Sequence, residues 1–343
     1  MRAVTGITKV ILHVEKCLQW KVLTPEGSLI DHTMRSLLTG LGGLDRCVTE
    51  FVRVSDQLLP RRVFRRYCPE LSQGGKTAAG VPVYLQLLGG NPSAMADNAA
   101  RAAELGAPGI DLNFGCPSKT VNRSDGGSVI LAEPERVHAI VASVRRAVPA
   151  ATPVSVKIRL GYQDSELLED NVRGIAAAGA DELAVHARTK VHGYRPPAYW
   201  EEIARVREWV DMPVIANGEI WNPLDAARCQ EISGCEDLML GRGLICRPDL
   251  ARLIKAGRTE KAIAPLSWPE VQALVLRLYE LSLEHYPARY VGNPIKQWLA
   301  YQRLYYPEAA LLFERIKRLR EPNEIHAQLL APAPSLTNGS AVA

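Results

Sequence analysis

The sequence predicts an α/β fold, a (β/α)8 TIM barrel followed by a C-terminal helical domain. Three observations predict it. Short β-branched runs alternate with stretches of helical apolar spacing, the alternation occurs eight times within about 235 residues, and it stops near residue 267. Strands that alternate with helices form a parallel sheet through right-handed crossovers. A doubly wound open sheet is the alternative, but no G-x-G-x-x-G turn follows any predicted strand.

The predicted barrel strands are short, apolar and bounded by turn residues. They span residues 20–23, 47–51, 82–87, 109–113, 154–159, 182–186, 213–217 and 237–241. Between them, segments such as 98–105, 134–148 and 166–178 place apolar residues on one face of a helix.

The pattern changes at Ser267, which is predicted as a helix N-cap with Pro269 in the first turn. From there to residue 319 the chain predicts three or four helices, interrupted by prolines, and no further strand. The predicted organisation is a leader at 1–19 whose order is left open, a catalytic barrel at 20–258, a helical domain at 267–330 and a disordered tail at 331–343.

Composition excludes several classes of protein. The chain has 343 residues, of which 47% are hydrophobic and 23% charged, so wholesale disorder is excluded. The net charge of +4 is too small to indicate a nucleic-acid partner by itself. The 7 cysteines include no C-x-x-C pair, so neither a disulfide framework nor a metal site is predicted, and a cytoplasmic location is expected. No apolar run approaches the roughly 18 residues of a membrane span.

Polar residues or glycines end nearly every predicted strand. Because barrel enzymes carry their chemistry at the C-terminal ends of the strands, this succession predicts one active-site mouth, although each residue alone is an ordinary strand end. The residues are Pro25, Glu26 and Gly27, then Glu50, Gln86, Asn113 with Cys116, Lys157 with Arg159, His186 with Arg188, Asn217, Gly218 and Glu219, and Gly241, Arg242 and Gly243.

Three of these positions suggest specific chemistry. The glycine-containing ends of strands seven and eight, with Arg242, fit a phosphate site, and tight turns with a surface arginine are the alternative. Lys157 within a β-branched strand needs an anionic or electron-rich partner, unless it points outward or forms a salt bridge. Cys116, held between a glycine and a proline, is a candidate proton donor or nucleophile, against the alternative of a small buried hydrophobic residue.

Together these residues resemble the tRNA-dihydrouridine synthases, flavin enzymes that reduce selected uridines in tRNA. The resemblance covers about residues 21 to 330. The segments that carry it are 111–121 (DLNFGCPSKTV), 156–161 (VKIRLG), 186–189 (HART), 216–220 (ANGEI) and 240–243 (LGRG). Segments 49–54 and 295–299 look most like the bacterial C-type subfamily, which acts on the D-loop uridine at position 16.

The resemblance implies a function for each motif. FMN would lie across the mouth, with its ring near Pro25, Gln86, Lys157 and His186 and its phosphate between residues 217–219 and 241–242. The same loop as Pro25 would bring Glu26 and Gly27 to the cofactor. NADPH would supply the electrons, and Cys116 would protonate the substrate as general acid. The residues implied on the substrate and tRNA side are Asn113, which would orient the uracil, and Arg53, Arg159, Arg188, Lys296 and Arg303. A monomer without metal is expected.

The chain departs from the family pattern in two places. The family's first-strand loop is alanine-proline-methionine-glutamate-glycine, whereas this chain has Thr24-Pro25-Glu26-Gly27-Ser28. The leader of nearly twenty residues before the predicted first strand is also unusual for the family.

Two other functions remain open at this level. One is a flavin barrel that acts on a free pyrimidine, similar to dihydroorotate dehydrogenases, and the other is a tRNA-binding module without catalysis. The helical domain argues against the first, because its basic residues alternate with aromatic ones such as Trp298 and Tyr305, a mixture suited to RNA. The presence of Cys116, Lys157 and His186 argues against the second.

Overall fold

The computed structural model describes residues 9–13, 31–257 and 263–332. Its centre is a closed barrel of eight parallel strands, which confirms the predicted fold class. The strands are β1 (Val10–Leu12), β2 (Arg46–Val48), β3 (Val52–Arg53), β4 (Val83–Leu88), β5 (Ile110–Phe114), β6 (Val154–Arg159), β7 (Glu182–His186), β8 (Val214–Asn217) and β9 (Leu238–Leu240). β2 and β3 pair with the first and the last part of β4 in turn, so these two short segments together occupy one of the eight positions in the barrel, and the pairing of β2 with β4 closes it.

Helices connect the strands and then continue as a separate group. Those around the barrel are α1 (His32–Gly40), α2 (Arg61–Tyr67), α3 (Pro92–Glu104), α4 (Lys119–Arg123), α5 (Pro134–Ala147), α6 (Leu168–Ala177), α7 (Trp200–Trp209), α8 (Pro223–Ser233), α9 (Arg242–Cys246) and α10 (Leu250–Ala256). The C-terminal group is α11 (Trp268–His285), α12 (Gly292–Gln302), α13 (Pro307–Ile316) and α14 (Pro322–Leu330).

The first barrel strand lies earlier in the chain than the sequence predicts. β1 pairs in parallel with β9, Val10 beside Leu238, and with β2, Ile11 beside Arg46. The predicted barrel start at residue 20 is therefore wrong, because β1 belongs to the range 1–19 assigned to a leader. A three-residue apolar run is shorter than most strands, so the pattern gives it little weight until the neighbouring strands bury it. The predicted strand 20–23 lies outside the described residues.

Side chains alternate between two apolar layers. Leu183 and Val185 of β7 face the main core between the strands and the surrounding helices, whereas Ala184 belongs to a smaller cluster with Ile11 and Met239. This alternation is the period of a strand, and in a barrel it directs every second residue to the interior. The inward residues near the C-terminal strand ends therefore share one space.

The helical group packs against the barrel. Ser267 is the N-cap of α11, as predicted. It also forms a capping box with Glu270, in which the Ser267 N–H donates to the Glu270 carboxylate at 2.7 Å. Trp298 of α12 is fully buried, and its indole N–H donates to the Ile245 carbonyl of α9 at 2.9 Å. The Tyr286 hydroxyl donates to the Asp31 carboxylate. No helix in the described ranges is long and apolar enough to cross a membrane.

Candidate active site at the mouth of the barrel

A small cavity opens at the C-terminal ends of β1, β7, β8 and β9. It brings together six of the residues that the sequence predicts to bind a cofactor. These are His186, Asn217, Gly218, Glu219, Gly241 and Arg242. Their roles remain predictions, but residues from three separate strands line one pocket, as the barrel topology requires.

The loops after β8 and β9 approach each other so closely that one position admits only glycine. A Cβ built on Gly243 would lie 2.0 Å from the Ile220 carbonyl oxygen. In the facing loop, Gly218 and Glu219 have φ of 124° and 54°, a region that L side chains rarely adopt. Bare backbone therefore forms much of this wall, which leaves its N–H groups accessible to an anion.

The charges in this wall are unequal. Glu219 accepts from Arg188 and Arg242 at 2.8 Å each, so two guanidinium groups share one carboxylate. Burial would raise the pKa of Glu219, but hydrogen bonds from Trp221 and Arg188 and the nearby arginine charges outweigh it and hold the pKa below its ordinary value. Arg242 is also flanked by the rings of Tyr194 and Trp221, at 4.8 and 4.9 Å. The ionised cluster keeps one excess positive charge.

This cluster fits a phosphate group. The Nη1 of Arg188 is buried and has no hydrogen-bond partner among the residues that the structure describes. A buried donor without a partner is costly, and an anion would satisfy it. The excess positive charge and the side-chain-free loop around Gly243 suit the same ligand. The residues present therefore fit the phosphate of a mononucleotide cofactor.

Deeper in the mouth, a buried hydrogen-bond network joins β4 and β5. The Gln86 amide donates to Asp111 Oδ2 at 2.6 Å, and its oxygen accepts from the Asn113 amide at 2.9 Å. Burial raises the pKa of Asp111 to about 6, although hydrogen bonds from Ser155 and Gln86 oppose it. Lys157 is fully buried on β6 and is in register with Asn113. Gln86 and Lys157 lie outside the lining of the cavity as the described residues form it.

Cys116 follows β5 in a loop that Asn113 holds. The Asn113 oxygen accepts the backbone N–H groups of Gly115 and Cys116 at 2.9 and 3.1 Å. The Cys116 side chain is buried in a small apolar cluster that includes Phe51 and Leu88. Cys116 follows the C-terminal end of β5, but its side chain is not part of the cavity lining, and its predicted place over the mouth stays a prediction. The asparagine predicted to orient the substrate thus also orients this loop.

Two of the predicted tRNA contacts are buried and bind the chain itself. Arg159 donates to the carbonyls of Gly115 at 2.7 Å and Gly193 at 2.9 Å, which links the Cys116 loop to the loop after β7. Arg188 donates to the Pro197 carbonyl at 3.0 Å and pairs with Glu219. Both arginines therefore position loops of the site, and their direct contact with tRNA remains a prediction.

The remaining predicted tRNA residues lie nearer the surface. Arg53 on β3 donates to the Ser124 carbonyl, beyond the Cys116 loop. Lys296 lines a groove of the helical group and donates to the Leu319 carbonyl, and burial lowers its pKa. Arg303 is exposed and lies 5.4 Å from the Phe313 ring. Several arginines share the groove with Lys296: Arg289, Arg318 and Arg320.

Three predicted cofactor residues, Pro25, Glu26 and Gly27, lie outside the residues that the structure describes. Other residues line the cavity although the sequence analysis did not predict them. His13, Tyr194 and Trp221 line the cavity but carried no sequence motif. The run Val10–Leu12 before His13 was the available signal, since polar residues after apolar strands mark the mouth. Within the described ranges, no group of three His, Cys, Asp or Glu side chains is arranged to hold a metal ion.

The fold resembles those of solved enzyme structures at low sequence identity. A 2-naphthoyl-CoA reductase complex matches with a TM-score of 0.54 and 12% identity, covering 73% of this chain and 50% of that one. An old yellow enzyme homologue from Zymomonas mobilis matches with a TM-score of 0.50 and 11% identity, covering 75% and 90%. At such identity the likeness concerns the barrel alone.

Sequence relatives are far closer. A tRNA-dihydrouridine(16) synthase from Aquipseudomonas alcaligenes is 51% identical over 312 residues, covering 91% of this chain and 99% of the relative. Another from Pseudomonas putida is 52% identical over 296 residues, covering 86% and 92%. The model of the dihydrouridine synthase family matches residues 22–333. With Cys116, the glycine-containing loops after β8 and β9 and the helical group all inside that range, the chain belongs to the dihydrouridine synthase family.

Proposed function

We propose that this protein is an FMN-dependent, NADPH-driven enzyme that reduces uridine 16 in the D-loop of tRNA to 5,6-dihydrouridine. The observation that carries the proposal is the cradle between the loops after β8 and β9. There Arg188 and Arg242 outnumber Glu219, and Gly243 leaves room for no side chain. The relatives named tRNA-dihydrouridine(16) synthase support the substrate and its position.

Different residues would bind the two ends of the cofactor. Asn217, Gly218, Glu219, Gly241 and Arg242 would hold the phosphate end of the cofactor. Gln86, Lys157 and His186 would lie near its ring. When bound, FMN would accept hydride equivalents from NADPH and deliver them to uracil C6.

The protein supplies a proton and the geometry. Cys116 Sγ would hold the proton that C5 of the uracil receives, and its thiolate would be reprotonated from solvent. Asn113 fixes the backbone at Gly115 and Cys116, which supports a fixed position for the thiol during proton transfer. Arg159 holds the same loop from β6. A uridine in a folded tRNA must leave its stack to reach this position.

The helical group and the barrel rim would bind the tRNA body. The groove that contains Arg289, Lys296, Arg318 and Arg320 has the charge that phosphates require. Arg53 and Arg303 would extend the contact. With tRNA as substrate, the enzyme would work in the cytoplasm, as a monomer without metal.

The test is to express the protein in a host that lacks all dihydrouridine synthases and to map dihydrouridine in its tRNA by sequencing. We expect signal at position 16, and we expect the purified protein to carry FMN. Signal only at another D-loop position would retain the reaction and reject the position. A protein that turns over orotate or free uracil but not tRNA would support the free-pyrimidine alternative. A protein that binds tRNA but neither FMN nor NADPH would be the non-catalytic module.

A further inference from the structure

His13 stands where β1 reaches the mouth of the barrel. Its backbone N–H donates to the Leu240 carbonyl of β9 at 3.0 Å, which continues the strand pairing by one residue. The side chain is only 3% exposed and lines the cavity together with His186 and Arg242. A Cβ on Gly241 would lie 3.2 Å from the His13 carbonyl oxygen. Both the ring and the backbone of His13 are therefore part of the pocket wall.

The His13 ring also joins the network that holds the Cys116 loop. Its Nε2 lies 2.8 Å from the Gln86 amide nitrogen. That amide donates its other hydrogen to Asp111, so His13 Nε2 is the acceptor and the ring proton is on Nδ1. Gln86 in turn accepts from Asn113, whose oxygen holds the Cys116 backbone. One continuous chain of hydrogen bonds runs from the cavity wall to the catalytic loop.

His13 lies outside the part of the chain that matches the family model. The family match begins at residue 22, so β1 and His13 precede it. The residues that the family pattern assigns to the first-strand loop, Pro25 to Gly27, come twelve or more positions later. Yet the strand that closes the barrel in this structure is Val10–Leu12, and a barrel has only one residue that directly follows each strand.

We propose that His13 is a cofactor-contacting residue, and that through Gln86 and Asn113 it couples the cofactor pocket to the Cys116 loop. The proposal rests on the proposed binding of FMN. An imidazole in the wall offers the cofactor a hydrogen-bonding nitrogen or an aromatic face, which the proline of the family pattern does not. Gln86, held by His13 and Asp111, is then presented to the ring in one fixed orientation.

The experiment compares FMN binding by apo forms of the wild type, His13→Ala, His13→Gln and His138→Ala. His138 is an exposed histidine on α5, outside the lining of the cavity, and serves as the matched control. Flavin fluorescence quenching gives the affinity. We expect His13→Ala to weaken FMN binding roughly tenfold and to shift the bound flavin's absorption bands. His13→Gln retains an acceptor for Gln86 and should recover part of the affinity, and His138→Ala should match the wild type.

Equal affinity and identical flavin spectra in His13→Ala and the wild type would overturn the proposal. A second measurement uses the wild type and therefore does not depend on the folding of His13→Ala. The 13Cε1 NMR resonances of its histidines are followed as FMN is added. The His13 signal, identified by its absence in His13→Gln, should shift while that of His138 does not. If the wild type binds FMN and the His13 signal does not shift, the proposed contact between His13 and FMN is wrong, while the proposed function stands. Wild-type protein that binds no FMN rejects the proposed function and this inference with it.

Discussion

A single buried amide determines where Cys116 stands. Asn113 uses its oxygen for two backbone N–H groups of the following loop and its nitrogen for Gln86. The Cys116 carbonyl then accepts from the Ser128 hydroxyl at 3.0 Å, which holds the far side of the loop. Because these bonds involve the backbone, the loop keeps them when the thiol is exchanged for a methyl group.

Cys116→Ala should therefore keep its fold and its FMN while losing tRNA reduction. We expect dihydrouridine formation to fall about 10²- to 10⁴-fold, the usual effect of removing a positioned acid. NADPH should still bleach the bound flavin at the wild-type rate. Cys229→Ala is the matched control, since that thiol is buried in the main core and burial raises its pKa to about 12. Near-normal tRNA reduction by Cys116→Ala would show that another group supplies the proton.

A second residue-scale feature is a buried arginine shared by two carboxylates. Arg35 is fully buried and pairs with Glu50 and Glu70 at 2.9 Å each. Burial raises the pKa of Glu50 to about 7, even though Arg35 opposes the shift, while Arg35 holds the pKa of Glu70 below its ordinary value in spite of burial. Arg35 thus outweighs the effect of burial on the pKa of Glu70 but not on the pKa of Glu50.

The raised pKa of Glu50 predicts a pH-dependent loss of stability. The folded protein binds this proton more tightly than the unfolded chain, whose ordinary pKa is 4.5. The stabilisation is complete below that value and is lost as the pH rises through about 7. We expect the unfolding free energy of the wild type to fall over this interval by about 1–3 kcal/mol more than that of Glu50→Gln. Urea unfolding of both proteins at several pH values measures this, and parallel pH profiles would contradict it.

At the scale of elements, the site depends on two loops that meet backbone to backbone. The loops after β8 and β9 come together only because position 243 has no side chain, and Glu219 then bridges Arg188 and Arg242 across the junction. The positive φ of Glu219 is a local strain that these ion pairs offset. A change of packing at this junction should act on stability and on the cofactor together.

Gly243→Ala tests this junction. Its Cβ would overlap the Ile220 carbonyl, so the two loops must separate, and we expect a loss of about 1–3 kcal/mol in stability together with weaker FMN retention. Gly40→Ala is the control, because a Cβ there meets nothing within 4 Å and α1 gains a better helix former. Thermal unfolding and gel filtration with FMN absorbance measure both effects. Full FMN retention by Gly243→Ala would argue against the assigned cradle.

At the scale of the whole molecule, two bodies of different character are firmly joined. The barrel contains the candidate active site, and the helical group contains a groove lined by basic residues. Trp298 anchors α12 to α9, the short helix that begins at Arg242 in the lining of the cavity. Tyr286 at the end of α11 bonds to Asp31 at the start of α1. If the helical group binds tRNA as we propose, these contacts would hold the tRNA at a fixed position relative to the mouth.

This arrangement predicts that tRNA binding and NADPH oxidation respond to different substitutions. Lys296→Gln and Arg303→Gln should each raise the KM for tRNA, because a tRNA phosphate loses its cationic partner. Each should also reduce the slope of log K for tRNA binding against log salt concentration by about one. NADPH oxidation should stay at the wild-type rate. Arg205→Gln on α7 is the matched control, an arginine whose side chain is 60% exposed and paired with Glu202. Binding that is independent of salt, or equal damage to both half-reactions, would count against the proposed tRNA surface.

By itself, the sequence determined the barrel, the helical group and most of the mouth. Strand and helix periods are local properties, and in a parallel barrel every strand end reaches one face, so Asn217, Gly218, Gly241 and Arg242 could be placed together from their positions alone. It did not determine which short run forms the first strand. Val10–Leu12 becomes a strand only because β2 and β9 leave a gap that it pairs into, and such pairing joins residues more than two hundred positions apart. Tertiary structure likewise decided that His13 lines the pocket and that Arg159 and Arg188 turn inward, since burial and hydrogen-bond partners arise only when distant loops meet.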